Sequence, residues 1–75
     1  RGAQIFRRTN DEAEMLVVHT FANADSKMEI SLSPDMKLAD TFGEPSVKLE
    51  QHGSVLTLTN LPDWCGLVIL CKKVH

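Results

Sequence analysis

The sequence predicts an all-β fold, a small antiparallel Greek-key β-sandwich of about seven strands. Three observations carry that expectation. Apolar and polar residues alternate with period two along most of the chain. Turn-forming residues interrupt the alternation at short intervals. No segment sustains the i, i+3, i+4, i+7 spacing of an amphipathic helix, although "DEAEML" has the composition of a single helical turn.

The strands follow in order. "QIFRR" (Gln4–Arg8) is the first, closed by the turn-rich "TNDE". "EMLVVHTFA" (Glu14–Ala22) is a longer second strand, ended by "NADS". "KMEISL" (Lys27–Leu32) alternates cleanly, with Met28, Ile30 and Leu32 on one face and Lys27, Glu29 and Ser31 on the other. "SPD" breaks that run before "MKLADTF" (Met36–Phe42), which "GEP" ends. "SVKLEQ" (Ser46–Gln51) sets Val47 and Leu49 against Lys48 and Glu50, and His52-Gly53 is the expected two-residue hairpin turn into "SVLTLT" (Ser54–Thr59). After "NLPD", the last strand is "WCGLVILC", Trp64 to Cys71. This run is too short to span a bilayer as a helix, which needs about 20 residues.

The two kinds of strand differ in what must cover them. "KMEISL" and "SVKLEQ" have one wet face, whereas "EMLVVHTFA" and "CGLVILC" are apolar on both. In a free-standing sandwich the outer face of each sheet meets water and is polar. The two doubly apolar strands are therefore expected to be neighbours sharing an apolar outer patch. Leu16, Val18, Val68 and Leu70, with Trp64 at the head of the last strand, are the expected interface residues. A partner domain or a second copy of the chain is the expected cover, because 75 residues leave little chain to fold over the patch.

Composition narrows the function classes. The chain is one domain, 1–75, with 43% hydrophobic and 24% charged residues, which is globular rather than disordered. A net charge of −2 leaves no footprint for nucleic acid, and the pairs Arg7-Arg8 and Lys72-Lys73 are too short to form one. The opening "RGAQIF" has no initiator methionine and no secretory or membrane segment, so a processed product or a piece of a larger chain is expected. Cys65 and Cys71, six steps apart on one strand, would lie roughly 20 Å from each other, beyond disulfide reach. Two free thiols fit a reducing, cytoplasmic setting.

No catalytic constellation is visible. His19, His52 and His75 are dispersed, no G-x-S-x-G elbow or phosphate loop occurs, and no cysteine has metal-ligand spacing, so no cofactor or metal is expected. Asp35, Asp40, Glu44 and Asp63 are candidates for paired glycosidase carboxylates, but a domain this small offers little concavity to hold a sugar between them. Trp64 can stack on a sugar; with no tyrosine and three phenylalanines in the chain, a core or interface role is the stronger expectation. Phe6, Phe21 and Phe42 are expected in the core.

The linear pattern resembles the C-terminal β-sandwich domains of glycoside hydrolases of the bacterial β-galactosidase and α-amylase-like types. The resemblance is carried by "IFRR" and its acidic turn, by "MLVVHTFANADSKMEISL" with Phe21 and Asn23 as F-x-N, by Asp40 to Gly43 as D-x-x-G, and by a last strand of the G-x-V-x-L kind. Cys65 departs from the usual residue near the last turn. The resemblance implies a non-catalytic accessory domain that packs on and stabilises a catalytic barrel, with no catalytic residue of its own. An independent carbohydrate- or protein-binding module is the alternative, and a self-sufficient small enzyme a distant third.

Overall fold

The computed structural model describes residues 2–74. Among the described residues seven strands form two antiparallel sheets, with no helix: β1 (Ala3–Thr9), β2 (Ala13–Thr20), β3 (Met28–Ser31), β4 (Met36–Gly43), β5 (Lys48–His52), β6 (Val55–Thr59) and β7 (Gly66–Lys73). Sheet A has the order β1-β2-β7-β4, and sheet B the order β3-β6-β5. Only β1–β2 and β5–β6 are hairpins; every other connection crosses from one sheet to the other. The two doubly apolar strands, β2 and β7, are neighbours at the centre of sheet A.

Local chemistry sets the turns. In the β1–β2 hairpin the Asn10 side chain accepts the N–H groups of Glu12 and Ala13, both at 2.8 Å, which stands in for a backbone turn. The β5–β6 loop is Gly53-Ser54 rather than His52-Gly53, because His52 still pairs with Val55. Gly53 takes φ 62° at the first central position, where a type II′ turn favours glycine. Gly43 closes β4 at φ 122°, and a Cβ there would run into the Gly66 carbonyl.

The core is built from alternate residues of both sheets. Leu16 and Val18 of β2 and Leu67, Ile69 and Cys71 of β7 meet Ile30, Leu56 and Leu58 of sheet B. Leu32, Met36, Val47, Leu61 and Cys65 close the ends. Both cysteines are buried and free. Cys71 is further held in its thiol form, since burial and the nearby Glu14 charge raise its pKa against an opposing influence from Arg7.

Two polar seams tie the sheets together at their edges. At the β1/β3 edge the fully buried Glu14 accepts the Ser33 amide (3.0 Å), the Ser33 hydroxyl (3.0 Å) and the Thr9 hydroxyl (2.9 Å). Arg7 Nε lies 3.4 Å from the same carboxylate, and its Nη2 donates to the Ser31 carbonyl at 2.7 Å. Burial, the largest influence, pushes the Glu14 pKa up; the Ser33 and Thr9 hydrogen bonds and the Arg7 charge together outweigh it, leaving the pKa below its ordinary 4.5. At the β4/β5 edge Gln51 accepts the Leu38 N–H and donates to the Met36 and Gly53 carbonyls. Leu38 lies beside a bulge at Ala39, and an edge strand interrupted in this way is a poorer template for pairing with other chains.

Candidate interaction face

The outer face of sheet A does not follow the rule that solvent-facing strand positions are polar. On β2 the buried positions are Glu14, Leu16, Val18 and Thr20, so Met15, Val17 and His19 point outward. On β7 Leu67, Ile69 and Cys71 are buried, so Val68 and Leu70 point outward. Cross-strand partners share a face. The pairs Phe6↔Val17, Val17↔Val68 and Phe42↔Val68 therefore make one apolar row across all four strands: Phe6, Val17, Val68, Phe42. A second row runs Arg8, Met15, Leu70, Asp40. Beyond the first row lie Gln4, His19 and Gly66, with Glu44 following the end of β4.

The expected interface residues divide between two faces. Val68 and Leu70 lie on this outer face, half-buried. Leu16 and Val18 do not: both are 0% exposed and belong to the core beneath sheet B. The correction has a simple cause. The antiparallel register pairs Leu16 with Ile69 and Val18 with Leu67, so the outward partners of Val68 and Leu70 on β2 are Val17 and Met15. The phenylalanines are corrected for the same reason. Phe6 and Phe42 are 60% and 57% exposed at the two ends of the apolar row, and Phe21 is half-buried just past β2.

Trp64 stands at one end of this face, 69% exposed, and is not a core residue. Its ring meets Phe21 edge-on at 6.0 Å, and Phe21 meets His19 edge-on at 4.5 Å. The Trp64 backbone is left-handed, φ 55°, a conformation that costs a bulky residue roughly 1–2 kcal/mol. Neighbouring bonds hold the turn. The buried Thr20 hydroxyl donates to the Pro62 carbonyl at 2.7 Å and accepts the Cys65 N–H at 2.8 Å. Asp63 accepts the amides of Asn23 and Ala24, both at 3.0 Å.

The candidate carboxylates are occupied locally or apart from one another. Asp63 caps the Asn23 turn, Asp40 accepts its own neighbour's amide from Thr41, and Glu44 accepts Ser46. Asp35 lines an open groove of about 500 Å³ with Met36, Gln51 and Val74, at the end of the sandwich. Among the described residues no three His, Cys, Asp or Glu side chains gather as a metal site. His52 lies 3.8 Å from Glu50, both exposed, and His75 falls outside the described residues. No described helix is long and apolar enough to cross a membrane.

Sequence reasoning did not find the Glu14 seam. Its one available signal is that Glu14 shares strand parity with Leu16 and Val18. No protein-family model, curated protein or solved structure matches the chain.

Proposed function

We infer that the chain is a non-catalytic accessory β-sandwich that works by burying the outer face of sheet A against another protein body. The observation that carries this is the apolar row Phe6, Val17, Val68, Phe42 on a surface that a solitary sandwich leaves polar. Each terminal phenylalanine leaves enough ring in water that covering it is worth about 2–3 kcal/mol before the costs of association. The resemblance of the sequence to glycoside hydrolase C-terminal β-domains supports a parent enzyme of that class, in which a catalytic barrel or a second copy covers the face. The two buried free thiols agree with a reducing, cytoplasmic setting.

The alternative, a carbohydrate-binding module, is favoured by one feature, the exposed Trp64 on a turn fixed from both sides. Two measurements separate them. Purified chain is expected to hydrolyse no aryl glycoside and to bind a hydrophobic dye in a manner lost in Val68→Lys. Retention on insoluble polysaccharides that disappears in Trp64→Ala, with dye binding absent, refutes the accessory reading in favour of the module.

A further inference from the structure

We propose that the body covering the outer face of sheet A is a second copy of this chain, related by a two-fold axis running along the strands between β2 and β7. The proposal rests on the interface reading above and adds the identity of the occupant. A two-fold contact is isologous: whatever residue i meets, the partner residue meets i in return. An axis between β2 and β7 lays β1 of one copy over β4 of the other and β2 over β7, row by row.

The rows match under that operation. The first reads Phe6, Val17, Val68, Phe42, the same residue types in either direction, so Phe6 meets Phe42 and Val17 meets Val68. The second reads Arg8, Met15, Leu70, Asp40, so each Arg8 meets an Asp40 and each Met15 a Leu70. In the third, Gln4 meets Glu44. At the basic end Lys72, which pairs with Ala13 on one side and Lys37 on the other, meets Ala13 rather than another lysine.

Charge decides the direction of the axis. Turned by a right angle within the face, it would set Asp40 against Glu44 and leave Arg8 opposite Gln4. Aligned packing of twisted sheets, at about −30°, is compatible with an axis near the strand direction.

Four strands at about 4.8 Å and eight residues at about 3.3 Å give a flat footprint of roughly 500 Å². That is the small end of specific interfaces, so a dimer of about micromolar affinity is expected.

Sedimentation equilibrium on the full chain, from about 1 to 200 μM, tests this. The unmodified chain is expected to pass from monomer to dimer. Arg8→Asp and Asp40→Arg, both at exposed positions, are each expected to weaken dimerisation by about tenfold or more, because each creates two like-charge contacts. The double variant exchanges the charges and is expected to restore it. A dimer indifferent to both single changes, or one that the double variant fails to restore, overturns the proposal. A chain that stays monomeric yet binds hydrophobic dye through Val68 overturns the second copy while leaving the interface reading intact. A monomer that binds no dye overturns both.

Discussion

Replacing Glu14 by glutamine keeps the size of the side chain and removes its charge, which isolates what the buried carboxylate contributes to the β1/β3 seam. The glutamine carbonyl still accepts the Ser33 amide, and its NH₂ group can donate to the Thr9 and Ser33 hydroxyls, which rotate to accept. What is lost is the charge assistance on those bonds and the attraction to Arg7, whose side chain is 41% exposed and therefore screened by solvent. The expected cost at neutral pH is about 1 kcal/mol. Glu14→Leu, which leaves the Ser33 amide without its acceptor, is expected to cost about 3 kcal/mol.

The pH dependence carries the sharper test. The folded pKa of Glu14 lies below the ordinary 4.5, so the unfolded chain takes up its proton first as the solution is acidified. The stabilising contribution is complete above 4.5 and is lost as pH falls from there through the lower folded value. Urea unfolding of the native and Glu14→Gln chains across that range is expected to show their stability difference shrinking toward zero in acid. A difference that stays constant across the range, or grows on acidification, would refute the account of the seam.

Other substitutions separate core from face. Leu16→Ala opens a cavity at a fully buried site and is expected to cost about 3 kcal/mol, whereas Val17→Ala on the outer face costs the monomer under about 1 kcal/mol, both read by urea denaturation. Gly43→Ala combines an unfavourable φ with a collision against the Gly66 carbonyl and is expected to destabilise by about 2 kcal/mol or more in the same assay. Trp64→Gly removes the largest exposed ring and relieves its left-handed backbone; stability is expected to hold within about 0.5 kcal/mol or rise, while dye binding falls. Both cysteines are expected to resist a thiol reagent in the native chain and to react together on unfolding, since each is buried.

Much of this fold was legible because period-two alternation and turn chemistry act locally. The expected Met36–Phe42 strand differs from β4 by one residue, and the expected neighbourhood of β2 and β7 holds. The existence of outward apolar surface on β2 and β7 was also legible, since both strands are apolar on both sides. Which residues compose that surface was not. Strand parity is degenerate where both faces are apolar, and a register displaced by one residue exchanges Leu16 for Val17. The same degeneracy sent Phe6 and Phe42 to the core in expectation, though they stand outside. Glu14 escaped notice because a carboxylate becomes tolerable inside only once Arg7 and Thr9 of the neighbouring strand and Ser33, 19 residues further along the chain, converge on it.

The central proposal is that sheet A buries its outer surface against a second copy of the chain. Amide chemical shifts of the isotopically labelled chain, followed as concentration rises, test it residue by residue. Movement confined to the strands around Phe6, Val17, Val68 and Phe42, with Lys27, Glu29, Lys48 and Glu50 of the opposite face unmoved, is the expected result. Shifts that move on the sheet B surface instead, or nowhere, would contradict it.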